Sequence, residues 1–445
     1  MISQRSDYTF KYNRSLGRHG WLRLTPAYSV KLVGRIIDDL PDTRNILDPF
    51  SGTATTGVVA AERGYKSTLF DINPFLVWFG NIKLANVSGD DIAALRDALR
   101  KVVLSAIDTQ DESLWLPPLK NIERWWSRDT LIILAQLRAS LVKIIDEPKN
   151  AGFLSLLWIA FARVAIEYSA AAFNHVSVSF QDDTVSHSKQ EILLAFESYA
   201  EAFIASAIAP LSGKGVVHLH NSASPFHEES QFDAIVTSPP YPNRISYIRE
   251  LRPYMFWLGF LGEAREAGEL DWQAIGGTWG IATSRLTTWS PTHECAMHSL
   301  GTVVEKIKRT GEKNSELLSL YVKKYFYDVD EHIRSIQSAL KPSAEVHYII
   351  GNSTFYGVPV ATPDLYEESL LAHGFKNVSS RVIRKRNSKK ELFEYCTSAT
   401  YGRAKREYHQ TASENPHERS YEPRHEQLRL LESEAKYLEK QRLTS

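Results

Sequence analysis

Asn45-Ile46-Leu47-Asp48-Pro49-Phe50-Ser51-Gly52-Thr53-Ala54-Thr55-Thr56 decides the fold, because it runs from an apolar stretch through small residues into a helical one. Asn45 to Leu47 reads as a buried strand, the small residues as the turn at its end, and the helix as extending from about Thr55 to Arg63, with Gly64 as C-cap. Ser67 to Phe70 reads as a second strand ending in Asp71-Ile72-Asn73-Pro74, which completes a βαβ unit. Upstream, Ser29 suits an N-cap, and Val30, Leu32, Val33, Ile36, Ile37 and Leu40 recur at helical intervals. A helix therefore precedes the first strand.

Further along, the pattern changes. From about Asp90 to Ala209 apolar residues recur at helical spacing, as in Ile92, Leu95, Leu99, Val102, Val103 and in Leu131, Leu134, Leu137, Leu141, Ile144, which predicts a helical insertion. Strand signals resume at Gly215 to His220, Phe232 to Val236 and Val346 to Ile350. Near the C-terminus, Val378 to Ile383 and Leu392 to Thr397 flank the basic tip Arg384-Lys385-Arg386-Asn387-Ser388-Lys389-Lys390, a hairpin pattern. After Tyr401 the chain is charged and interrupted by Pro416 and Pro423, which reads as linker. Leu428, Leu431, Ala435 and Leu438 then mark a short helix that packs on the body rather than a coiled coil.

Composition narrows the function classes. At 445 residues with 43% apolar content the chain can bury a core and carry insertions. Cys295 and Cys396 are its only cysteines, too few for a disulfide framework or a four-cysteine metal site, so a reducing compartment, the cytoplasm, is expected. The N-terminal residues lack an apolar signal core, and the most apolar stretch, Phe153 to Ile166, is short and carries Arg163, so no membrane segment is expected. Lys plus Arg and Asp plus Glu each number 52, so nucleic-acid binding would need a local basic patch.

Two turns carry the chemistry. A small-residue turn opening a helix lets backbone amides approach a ligand, and the helix N-terminus adds unpaired N–H groups. Asp71, after the second strand, suits an acid that accepts from both hydroxyls of a ribose. The second turn, Thr237-Ser238-Pro239-Pro240-Tyr241, follows the strand Phe232 to Val236. Two successive prolines fix φ there, and the Ser238 hydroxyl and Pro239 carbonyl can accept protons from a planar amine. Tyr241 offers a flat face for a base rotated out of a duplex.

This pairing resembles the amino-methyltransferases of DNA, which use S-adenosylmethionine as methyl donor. The resemblance implies an α/β fold with a Rossmann-like methyltransferase sheet, a large helical insertion and a C-terminal β-hairpin. It implies donor contacts from Tyr28, Asp48, Phe50, Ser51, Gly52, Thr53, Asp71 and Asn221, and catalysis by Ser238, Pro239, Pro240 and Tyr241. Asp48 attracts the donor's amino group or organises the turn; Tyr28, with Pro26 before it, folds over the donor or packs in the core; Asn221 accepts from the adenine amine. The family's turn usually carries a second glycine where Ala54 stands, so the dihedral angles of Ala54 set the cost.

Serine in the first position is more typical of N4-cytosine enzymes, so cytosine N4 is the favoured acceptor, with adenine N6 open as an alternative, as is a catalytically silent DNA-binding module. Carbon-5 methylation needs a thiolate in a Pro-Cys turn, and neither cysteine sits in one. His293, Cys295 and His298 lack a fourth ligand, so no metal is expected.

The implied divisions are a donor-binding half at 1–88, the helical insertion at 89–210, a catalytic half at 211–261, a target-recognition segment at 262–340, C-terminal strands at 341–400 and a charged tail with terminal helix at 401–445. Asn243, Arg244, Tyr247, Arg249 and Arg252 are candidate phosphate contacts. Ile275 to Gly280, Arg285, Lys306, Lys308 and Arg309 fall in the recognition segment, whose length suggests a functional loop, and Arg124, Trp125, Trp126 and Arg128 are the competing location. The expected partners are double-stranded DNA and a cognate restriction endonuclease.

Overall fold

Seven strands form the central sheet of the computed structural model, which describes residues 5–22, 28–40, 43–109, 114–172, 179–180, 184–226, 231–277, 281–386 and 391–402. They are β1 (Asn45–Asp48), β2 (Lys66–Asp71), β3 (Lys214–Leu219), β4 (Phe232–Thr237), β5 (Leu340–Gly351), β6 (Phe375–Lys385) and β7 (Phe393–Tyr401). Their spatial order is β6-β7-β5-β4-β1-β2-β3. Neighbours from β5 to β3 pair in parallel, whereas β7 lies antiparallel between β5 and β6. The order reverses between β1 and β4, and at such a switch point a crevice opens beyond the C-terminal strand ends. The two turns singled out in the sequence both leave from that crevice.

Both sheet faces are covered, as a parallel sheet requires. Ile46 of β1 and Ala234 and Val236 of β4 pack with Leu32, Val33, Ile36 and Ile37 of α1 (Val30–Asp38). The alternate residues Leu47 and Ile235 face the opposite core. That core is filled by α12 (Ser315–Ser335) and α13 (Thr362–Ala372), which bury Val322, Phe326, Val329, Leu365 and Leu370. Helix α2 (Thr55–Glu62) follows the first turn, and α3 (Pro74–Leu84) follows β2, capped by Asn73 Oδ1 on the Phe75 amide.

The helical insertion comprises α4 (Gly89–Asp108), α5 (Arg128–Ile145), α6 (Ser155–Glu167) and α7 (Lys189–Ala207). It shares one core with Phe75 and Phe79 of α3 and with α8 (Tyr247–Trp257). Its stripe ends on Ile145 rather than on the half-exposed Ile144. Trp125 and Trp126 are buried in this core, 3% and 1% exposed, so they cannot read a target from there.

The structure redraws other boundaries. Asp71 is the last residue of β2, not the first beyond it, and the stretch after the second turn forms α8 from Tyr247, with Pro253 inside it. Residues 262–340 are mainly helical: α9 (Ala264–Gln273), α10 (Ile281–Leu286) and α11 (Leu300–Lys308) precede α12. The apparent loop is helical because its apolar residues sit one turn apart, as in Leu318, Val322, Phe326, Val329 and Ile333. The hairpin is present, with each strand longer than its apolar run. Pro26, Gln4 and the residues before it, the stretch 278–280, the hairpin tip 387–390 and the expected linker and terminal helix beyond 402 lie outside the described residues.

Among the described residues no helix is long and apolar enough to cross a membrane, and no group of His, Cys, Asp and Glu could hold a metal ion.

Candidate active site

A cavity of about 560 Å³ lies over the switch point, and both turns line it: Phe50, Gly52 and Thr53 on one side, Ser238 to Tyr241 on the other. Asp71 and Asn221 also line it, at the ends of the next two strands. Thus the two distant segments converge on one cleft.

The first turn is stitched to β2. The Gly52 amide donates to Asp71 Oδ2 at 2.8 Å and the Asn73 amide to Oδ1 at 2.8 Å. Each carboxylate oxygen keeps a lone pair for a further donor, so Asp71 can still take a diol. Burial pushes its carboxyl up to about 7, against the pull of those two amides. Gly52 has a φ of +51° and Ala54 a φ of +57° with ψ of 33°, so the methyl group stands in the left-handed region. Such a conformation costs about 1–2 kcal/mol for a residue with a Cβ. Opposite Ala54, Gly80 of α3 leaves room: a Cβ there would stand 3.2 Å from that of Ala54. No side chain caps α2, and the turn residues Gly52 and Thr53 just before it line the cavity.

Asp48 is sealed from the cavity. Its Oδ1 accepts from Thr237 Oγ1 at 2.6 Å and from the Phe50 amide at 3.1 Å, and Tyr28 Oη donates to its Oδ2 at 3.4 Å. These bonds tie the end of β1 to the end of β4 and hold the turn after β1. Ser51 also points inward, 2% exposed, with no partner for its Oγ. The Tyr28 ring is core, its hydroxyl also meets Thr56 Oγ1, and it lines the cavity. Asn221 Oδ1 accepts from the Ala223 amide at 3.0 Å, so one lone pair shapes its own turn.

The second turn is held from three sides. Ser238 Oγ donates to the Ile349 carbonyl of β5 at 3.1 Å, which leaves its lone pairs to accept. Tyr325 of α12 donates to the Pro240 carbonyl at 2.7 Å, whereas no described residue donates to the Pro239 carbonyl. Tyr241 Oη donates to Glu394 Oε1 at 2.8 Å, and Arg384 donates to both oxygens of Glu394, at 2.8 Å and 3.1 Å. The Arg386 guanidinium lies 5.1 Å from the Tyr241 ring. Gly351 admits that ring, because a Cβ there would come within 2.8 Å of it.

Sequence reasoning missed several of these groups. Tyr8 and Lys11 line the donor side because the N-terminal segment pairs Thr9 with Tyr28. Glu394 was legible only as a charge at a buried strand position, and Tyr325 only as one apolar helix residue among many. The candidate phosphate contacts divide: Arg244 is exposed, whereas Arg252 is half-buried, and desolvation draws its guanidinium down to about 10. Arg285 is taken by Glu269 through two 2.7 Å bonds. Neither cysteine lines the cavity, and burial pushes the Cys295 thiol up to about 11. His293 Nε2 lies 3.6 Å from Glu331, apart from the cavity.

The cleft suits S-adenosylmethionine: Asp71 offers a diol acceptor, Gly52 and Thr53 present the turn before α2, and Phe50, Ile72 and Leu76 give an apolar lining for a flat ring. Residues 30–112 match the family of D12 class N6 adenine-specific DNA methyltransferases. The chain is 20% identical over 434 residues to the Type II methyltransferase M.BsoBI of Geobacillus stearothermophilus, covering 87% of this chain and 84% of the relative. It is also 20% identical over 356 residues to the Type II methyltransferase M.MvaI of Kocuria varians, covering 74% of each. Among solved structures it is similar to a SAM-dependent methyltransferase from Methanosarcina mazei, at 10% identity over 86% of this chain and 99% of that one, with a TM-score of 0.28. The rRNA methyltransferase aviRa from Streptomyces viridochromogenes is similar at 11% identity over 84% and 86%, with a TM-score of 0.26.

Proposed function

We propose that this chain, which is an S-adenosylmethionine-dependent DNA amino-methyltransferase, acts on the N4 amine of cytosine within a Type II restriction-modification system alongside a cognate endonuclease. The observation that carries the choice of base is Ser238 at the first position of the catalytic turn, with its hydroxyl proton donated to the Ile349 carbonyl.

An exocyclic amine is a weak nucleophile because its lone pair is spread into the ring. Acceptors aimed at both amine protons favour the pyramidal nitrogen that can react, and fixed acceptors need no reorganisation. Ser238 Oγ and the Pro239 carbonyl supply them, and Tyr241, braced by Glu394, gives the extruded base a face to stack on. Asp71, Gly52 and Thr53 hold the cofactor, which supplies an electrophilic methyl carbon. The exposed Arg244 meets phosphates beside the extruded nucleotide, and the surface of α9 to α11 reads the flanking sequence.

Adenine N6 is the second reading, favoured by the family match. That match covers residues 30–112, most of the donor half and the first helix of the insertion, and stops well before Ser238. Incubating the full chain with duplex DNA and methyl-labelled donor, then digesting to nucleosides, tests the choice. N4-methylcytosine is the expected product; N6-methyladenine as sole product transfers the assignment to adenine. Ser238→Ala should lower turnover by about 100-fold, in the range of one lost preorganised contact, and leave donor affinity unchanged.

A further inference from the structure

We propose that Glu250 reads the pairing edge of the extruded base, its carboxylic acid O–H donating to the ring nitrogen beside the amine. The inference rests on the amine-directed function above. Glu250 lies on α8, is 6% exposed and lines the cavity. Among the described residues no ion pair or side-chain hydrogen bond engages its carboxyl group. Its oxygens are not sealed in the core but open onto the cavity, where a ligand can complete them.

Its neighbours place it on the acceptor side of the cleft. Tyr247, one turn earlier, is held by the backbone of Tyr241 and feels the Glu250 charge. The surrounding charged groups are otherwise engaged: Asp271 of α9 accepts from Ser246 Oγ at 2.6 Å, and Arg386 of the hairpin bonds the Phe393 carbonyl at 3.2 Å. Among the described residues Arg249 of α8 forms no ion pair with Glu250, and Arg252 turns its Nε to the Arg249 carbonyl at 3.4 Å. With no cation beside it, burial alone pushes the carboxyl up to about 7, so its acid form is populated at neutral pH.

The acid form matters for selectivity. N3 of cytosine and N1 of adenine only accept hydrogen bonds, so a carboxylate would repel them and a carboxylic acid suits them. Guanine and thymine present an N–H at the same place and would favour the carboxylate. Glu250 therefore selects the amine-bearing edges as a class, while Ser238 and Pro239 hold the amine itself.

The test uses the full chain and short duplexes carrying its mapped methylation site. The target base is C, A, G or T opposite an abasic position, and binding is read by fluorescence anisotropy with the demethylated donor product present. The wild type should bind the C or A duplex about 10-fold tighter than the G and T duplexes, the scale of one base-edge contact. Glu250→Gln, whose amide keeps a donor but also offers an acceptor, should hold the wild-type affinity for the C or A duplex while narrowing the preference, whereas Glu250→Ala should lose both. Wild-type binding of the preferred duplex should weaken as pH rises through about 7, and Glu250→Gln should not follow. A wild type that methylates DNA while Glu250→Ala keeps the full preference overturns this inference alone. A wild type that transfers no methyl group to any DNA base overturns the proposed function, and this inference with it.

Discussion

The amide of Gly52 and Oδ2 of Asp71 lie 2.8 Å apart, so the donor turn and the acid at the end of β2 form one hydrogen-bonded unit. Asp71→Ala removes an acceptor for the ligand and a staple of the turn together. Donor affinity should fall about 10- to 100-fold, the scale of one or two lost bonds to a charged group. Calorimetric titration with donor measures it; an unchanged dissociation constant would remove Asp71 from the site.

The same carboxyl sets a pH dependence. Its folded pKa of about 7 lies above the ordinary range of about 4. The stability it contributes is therefore present below about pH 4 and lost as pH rises through about 7. Donor binding runs the other way, because only the carboxylate accepts from both hydroxyls. Affinity should rise through pH 7 in the wild type and stay flat in Asp71→Asn, measured by titration at pH 6 to 8.

Glu394, 4% exposed, joins Tyr241 of the catalytic turn to Arg384 of the hairpin. Glu394→Ala frees the tyrosine and leaves a guanidinium unpaired. Single-turnover methyl transfer should slow by about 10-fold or more, as expected for a misplaced contact group, with donor affinity retained. Equal loss of both quantities would instead indicate general unfolding.

At Ala54 the left-handed backbone sits against Gly80. Ala54→Val adds β-branching where it is least tolerated and crowds α3. It should destabilise the fold by about 2–3 kcal/mol and weaken donor binding, whereas Ala54→Gly should stay within about 1 kcal/mol of wild type in urea unfolding.

Arg18 is 5% exposed and donates to the carbonyls of Lys83, Ala85, Ala207 and Ala209, which joins the ends of α3 and α7. Arg18→Ala should cost about 3 kcal/mol or more, on the scale of two charge-assisted bonds. Urea unfolding with donor-binding assays at low denaturant separates this effect from a catalytic one.

What the sequence determined by itself was local: β1, its turn and α2, the Asp71 strand end, the Ser238-to-Tyr241 turn and the hairpin were legible because periodicity and turn chemistry act between near neighbours. The helical nature of 262–340 was equally local in principle, but the length of the stretch suggested a loop and hid it. Only the tertiary structure decided that Asp48 is bonded between the ends of β1 and β4 and does not line the cavity, that Trp125 and Trp126 are core, that Glu250 and Glu394 line the cavity, and that Tyr325 holds the Pro240 carbonyl. Those roles depend on groups from remote parts of the chain meeting at one strand edge. A carboxylate's partners, burial and protonation are properties of that meeting, which sequence spacing does not encode.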